Sequence, residues 1–183
     1  YTQTLDCTRQ KYYSAYFYCI GNIKEYFRIE NKYFEEISTE NVIERIISIS
    51  KMIQKCPEEI SQECISKNLI EFASKNFEEI DKKEFYKLRY EELELIIKNQ
   101  HLQLNNEDSL MEFILNKYLE NREYSKLIEF VIFPNLSENM IKRFIETFDI
   151  EYLNHNMWKS ICSGLLPKNS ETNPESRYKL YNK

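Results

Sequence analysis

The stretch Lys67–Tyr118, KNLIEFASKNFEEIDKKEFYKLRYEELELIIKNQHLQLNNEDSLMEFILNKY, decides the fold. Leu69, Ala73 and Phe77 recur at i, i+4 and i+8 and therefore share one helical face. Asp81, followed three residues later by Glu84, predicts a helix start of the capping-box type. The aspartate accepts from a first-turn amide and Glu84 reaches back. Phe85 and Leu88 supply the buried side of the short helix behind it. Leu93, Ile96 and Ile97 do the same for the next, and Glu91 and Glu92 suit its positive N-terminus. Asn105–Asn106 before Glu107 and Asp108 is a further start signal, with Leu110, Phe113, Ile114 and Tyr118 as the stripe that follows. Helices of about three turns or fewer are not stable alone in water, so packing against one another must hold them. The predicted class is all-α, an array of short antiparallel helix hairpins.

The order of these features resembles the BACK domain, the helical module that follows a BTB domain in many BTB–Kelch proteins. The residues that carry the likeness are Ala73, Asn76 and Phe77, then Phe85 and Leu88, then Leu93, Ile96 and Ile97, then His101-Leu102 and the acidic helix start at Glu107–Asp108. Leu127–Leu136, LIEFVIFPNL, is similar to the family's LL-x-x-VRFPLL ending. Ile132 stands where the family usually has arginine, Asn135 where it has leucine, and Tyr118 where it has tryptophan; the segment after Tyr118 is several residues shorter. The likeness covers residues 60–165, and its motifs are mostly core positions, which specify fold better than activity.

The resemblance implies an organisation. Residues 1–55 would be the helical C-terminal part of a BTB-like domain with a linking helix, 56–166 the BACK-like domain, and 167–183 a polar linker or tail. It implies a non-enzymatic interaction and scaffold module that orients flanking domains, in a substrate adaptor for a cullin-type ubiquitin ligase. The implied partners are proteins, a cullin among them, with homodimerisation through the BTB-like portion. A HEAT-like helical-repeat scaffold without a link to ubiquitin is the rival architecture, since both stack short antiparallel helices. A regulatory domain of an enzyme is the third reading.

Composition agrees with packed helices. Only two glycines and four prolines occur in 183 residues, which disfavours turn-rich β architectures. Thirty Asp and Glu against twenty-five Lys and Arg leave a net charge of -5, the wrong sign for a nucleic-acid surface. No run of about 18 apolar residues offers a membrane span. The chain begins at Tyr1 and reads as a piece of a longer protein. Cys7, Cys19, Cys56, Cys64 and Cys162 are odd in number and lack CxxC spacing, so they are expected to be reduced and mostly buried. Reduced thiols suit a cytoplasmic or nuclear protein.

At the N-terminal end Tyr12, Tyr13, Tyr16, Phe17 and Tyr18 form a dense aromatic cluster, closed by Gly21. Tyr12, Tyr13, Tyr16 and Phe17 are the candidate protein-binding residues, because tyrosine anchors are common in interface hot spots. The plainer alternative is that these rings pack against a portion upstream of Tyr1. Ser38 or Thr39 is expected to cap a helix that is apolar at Val42, Ile43, Ile46, Ile47, Ile49, Met52 and Ile53, wider than one face, and Cys56-Pro57 ends it. Ser137 is expected to cap another, with Met140, Ile141, Phe144, Ile145 and Phe148 on its face. Ile150, Leu153, Trp158, Ile161 and Leu165 continue the apolar pattern, with Trp158 as a core or domain-junction anchor. From Lys168 the chain turns polar and is punctuated by Pro174, as a linker would be.

Nothing in the chain reads as catalytic, cofactor-binding or metal-ligating. His101 and His155 stand near no nucleophile motif. Adjacent acidic pairs such as Glu78-Glu79 and Glu91-Glu92 diverge around a helix and cannot face each other as a dyad. Asn105–Asp108 lacks the spaced ligands and central glycine of a calcium loop. Phosphate-binding loops, GxSxG and HExxH are absent from the sequence.

Overall fold

The structure, a computed structural model, describes residues 36–55, 67–163 and 177, with residues 52–55 as backbone only. The chain divides into two compact units, Tyr1–Glu36 and Ile37–Lys183, and every described helix lies in the second. In order these are α1 (Val42–Lys55), α2 (Lys67–Lys75), the single turn α3 (Lys82–Phe85), α4 (Tyr90–Ile97) and α5 (Glu107–Glu120), then a 3-10 helix at Arg122–Phe130, a 3-10 turn at Phe133–Asn135, α6 (Glu138–Thr147), a 3-10 turn at Ile150–Tyr152 and α7 (His155–Ser163). Among the described residues there is no strand, and the class is all-α as the sequence predicts.

Local signals explain most of the helix starts. Asn106 Oδ1 accepts from Ser109 N at 2.9 Å to open α5, and Ser137 Oγ accepts from Met140 N at 3.2 Å to open α6. Asp81 Oδ1 accepts from Lys83 N at 2.9 Å. The reciprocal half of that capping box is replaced, because Lys87 Nζ holds the Glu84 carboxylate at 2.6 Å. A return bond does form one helix later: Glu92 Oε2 accepts from the Arg89 backbone N–H at 2.7 Å, with the Arg89 guanidinium on the other oxygen. The entry to α1 differs from the sequence expectation. Its helix begins at Val42, and Ser38 contributes through its backbone, donating to Asn41 Oδ1 at 3.0 Å and accepting from Val42 N at 3.1 Å.

The core follows the predicted stripes. Leu69, Ala73, Phe77, Phe85, Leu93, Ile96, Leu110 and Ile114 are all buried. At its centre Phe77, Phe85 and Phe113 meet, with centroids at 4.7 Å, 5.7 Å and 6.0 Å for the three pairs. Such ring pairs add about 0.5–1.5 kcal/mol each beyond the area they bury. Ser74 is buried in this layer, its hydroxyl within 2.7 Å of Ile70 O and 2.9 Å of Ile96 O, so α2 and α4 are joined without a polar group left unmatched. Among the described side chains of α1, residues 42–51, the buried ones are Val42, Ile43, Ile46, Ile49 and Ser50, with Ile47 half-buried; Met52 and Ile53 lie outside the described side chains.

The C-terminal part departs from expectation. Met140 and Phe144 are the buried side of α6, whereas Ile141 and Ile145 lie one step around the helix and are exposed, Ile145 by 70%. Ile150 is exposed by 80% and Trp158 by 54%, so Trp158 is not a core residue. Met157 takes the buried place in α7, and its N–H is capped by Asn154 Oδ1 at 3.0 Å.

Candidate protein-interaction site

The polar residues with structural consequence converge where α4 ends and α5 begins. Gln103 N donates to Ser74 O at 3.0 Å and Asn105 N to Glu78 Oε1 at 3.4 Å, which lays the Leu102–Asn106 loop across the end of α2. The two acidic residues that open α5 then reach outward. Glu107 Oε1 accepts from Ile132 N at 2.8 Å, and Asp108 Oδ1 from Ser137 N at 2.8 Å. The sequence reads these carboxylates as part of a helix start; they also staple the Val131–Ser137 segment to it. Beside Glu107 a cleft of about 320 Å³ has an apolar wall of Ile97, Leu102, Phe130 and Ile132, with Gln100 and Arg177 at its polar side. Arg177 comes from the stretch read as a polar tail.

The candidate aromatic residues Tyr12, Tyr13, Tyr16 and Phe17 lie outside the described residues. His101 is exposed and sits 3.9 Å from Glu71 Oε1; His155 is exposed at the start of α7. Cys162 is a free, half-buried thiol. Among the described residues no three His, Cys, Asp or Glu side chains come together in a way that would hold a metal ion, and no described helix is long and apolar enough to cross a membrane.

The family model BTB And C-terminal Kelch, abbreviated BACK, matches residues 50–146. The match takes in more than half of the chain and runs from within the second half of α1 to the last turn of α6. The chain is a member of the BACK family. No curated protein and no solved structure matches it. Membership makes it an interaction module of the BTB–Kelch type. The match also places the Phe77–Phe85–Phe113 cluster, the Glu107 corner and the Leu127–Leu136 segment inside the BACK fold. Ile132 has its N–H on Glu107 and is one of the residues that line the cleft.

A second face of this BACK domain is electrostatically distinct. Tyr90, at the start of α4, is half-buried 6.4 Å from the Tyr124 ring, with Lys126 Nζ 5.8 Å from its centroid. Burial, followed by the negative charge of Glu94, Glu129, Glu123 and Glu91, pushes its phenol from 10.0 up to about 12. Burial likewise raises Tyr124, Tyr86 and Tyr118. For an acid whose folded pKa is raised, the unfolded chain ionises first, so stability falls as pH climbs from 10.0 towards about 12. Tyr90→Phe is expected to flatten that alkaline limb, measured by urea midpoints at stepped pH. The absorbance titration near 295 nm should lose a component centred near 12 rather than 10.0. A lost component at 10.0 would show that the acidic surround does not act on the phenol.

Proposed function

We propose that this BACK domain is the scaffold of a BTB–BACK adaptor, holding an N-terminal assembly domain and a C-terminal recognition domain at a fixed relative orientation. In this reading the full protein presents substrates to a cullin-type ubiquitin ligase and dimerises through its BTB-like portion. Residues 1–55 form the end of that portion with a linking helix, 56–166 the BACK domain and 167–183 the connection onward. The observation that carries the reading is the family match over residues 50–146. A role without catalysis is supported by Glu107 and Asp108, whose carboxylates are engaged in holding backbone. Tyr12, Tyr13, Tyr16 and Phe17 are the proposed protein contact, and the cytoplasm or nucleus the proposed location.

The test is capture. Full-length protein immobilised on beads is expected to retain a purified cullin at micromolar concentration, in a stoichiometry that follows the BTB-like portion. Failure to retain any cullin at that concentration overturns the ligase assignment. Replacing Tyr13 and Phe17 with alanine is expected to weaken capture or dimerisation; an unchanged result removes these rings from the contact.

A further inference from the structure

The cleft beside the end of α4 combines an apolar lining with cations that have hydrogen-bonding capacity to spare. Ile97, Leu102, Phe130 and Ile132 supply the apolar lining, and the volume is about 320 Å³. The charged residues that line it are Lys98 and Arg177, both cationic. Lys98 Nζ has Glu94 Oε1 at 3.7 Å, beyond hydrogen-bond reach, and its side chain is 47% exposed. Arg177 donates to Phe130 O at 3.1 Å through Nη1. Its Nε and Nη2 are shut off from water and have no hydrogen-bond partner. Such nitrogens are uncommon in folded proteins, because their N–H groups have lost water and gained no acceptor. The polar side of the cleft is therefore short of acceptors and rich in positive charge.

We propose that this cleft receives the C-terminal residue of a partner polypeptide. An aliphatic side chain lies against the apolar lining, the terminal carboxylate meets Lys98, and Arg177 adds positive potential. Charge decides the sign of the ligand, since both charged lining groups are cations and a carboxylate bonded by a cation makes one of the stronger hydrogen bonds. The Lys98–Glu94 pair is exposed and long, so Lys98 turns to a ligand at little cost. Size decides the class. Ligand pockets run from about 300 to 1,000 Å³, so this one takes an apolar side chain with its own carboxylate and not a long hydrocarbon tail. A phosphate would set a more strongly hydrated dianion against a mainly apolar lining. A chain terminus carries the aliphatic group and the carboxylate on one residue, and capture of a terminal carboxylate is an established mode of peptide recognition. The site does not depend on the ligase reading.

Titration of the isotope-labelled 183-residue chain with acetyl-Gly-Gly-Ser-Leu as the free acid, followed by amide chemical shifts, tests it. Saturable shifts are expected at Ile97, Lys98, Leu102 and Ile132, with a Kd of about 0.1–1 mM, in keeping with contacts from one residue. The same peptide as its C-terminal amide should bind about tenfold more weakly or worse, since the charge-assisted bond is lost. Lys98→Gln, at an exposed position, should weaken the free acid by about threefold or more and leave the rest of the spectrum in place. Octanoate is expected to bind no better than the peptide amide. If it matches the free acid, the cleft takes small aliphatic acids and the peptide assignment falls. No saturation below about 10 mM, shifts centred away from these residues, equal binding of acid and amide, or an unchanged Kd in Lys98→Gln overturns the proposal.

Discussion

Phe77→Ala is expected to lower the unfolding free energy by about 3–5 kcal/mol, a large part of the total stability of a domain this size. Phe77 is fully buried and lies in the turn after α2, so the substitution tests packing with little change in helix propensity. Its ring meets Phe85 at 4.7 Å and Phe113 edge-on at 5.7 Å, joining α2, α3 and α5 at one point. Lys82 adds a polar lid: its Nζ sits 3.7 Å from the Phe77 centroid, donates to Phe77 O at 2.7 Å and pairs with Glu78 at 3.2 Å. Burial lowers the Lys82 pKa against the opposing pull of Glu78, as expected of an ammonium held over rings. Alanine leaves a cavity between three helices that cannot all move inward. Phe77→Leu, which keeps most of the volume, should cost about 1–1.5 kcal/mol. Urea denaturation followed by far-UV circular dichroism measures both. A loss below about 1 kcal/mol for the alanine variant would mean that the aromatic cluster is not the centre of the core.

The N-terminal half of the described fold was legible because its helices obey one period and announce their starts. The spacing of Leu69, Ala73 and Phe77 is that of the observed buried face, and Asn106 and Ser137 cap where their chemistry says they should. Legibility failed where hydrophobicity was read as burial. Ile141, Ile145, Ile150 and Trp158 are as apolar as Met140 and Phe144, but only a stripe of α6 faces the core. Apolar side chains are common on surfaces, so the rule runs one way. The 3-10 helix at Arg122–Phe130 was hidden for another reason. Over nine residues a period of 3.0 and one of 3.6 bury nearly the same positions, here Tyr124, Leu127 and Ile128. At the candidate site Glu107 was visible as a helix-opening carboxylate. Its service to Ile132 N and to Arg177 was not, since no local pattern says which distant backbone or cation will reach a given carboxylate. A polar, proline-punctuated tail likewise gives no sign that its arginine, Arg177, bonds to the domain.

Substitutions at Tyr118, which by resemblance stands at a tryptophan position, separate ring packing from hydroxyl chemistry. The side chain is fully buried, its ring 5.0 Å from Phe148, 5.8 Å from Tyr152 and 4.2 Å from the Arg122 guanidinium carbon. Its hydroxyl donates to Asp149 Oδ2 at 2.8 Å and accepts from Asp149 N at 3.1 Å. One side chain of α5 thereby fixes the chain between α6 and α7 by backbone and carboxylate together. Tyr118→Ala is expected to cost about 3–5 kcal/mol, through cavity formation and loss of those bonds. Tyr118→Phe keeps the ring contacts and should cost about 1 kcal/mol, because Asp149 can turn to water for its carboxylate while its N–H loses an acceptor. The informative variant is Tyr118→Trp. An indole N–H can donate to the Asp149 carboxylate but cannot accept from the Asp149 N–H, and its extra volume must fit a space shaped by Phe148 and Arg122. A loss of about 1–3 kcal/mol is expected, with faster exchange of the Asp149 amide than in the parent. If tryptophan equals or exceeds tyrosine, the paired hydroxyl bonds contribute nothing that the larger ring cannot replace, and the C-terminal helices are held by ring contacts alone.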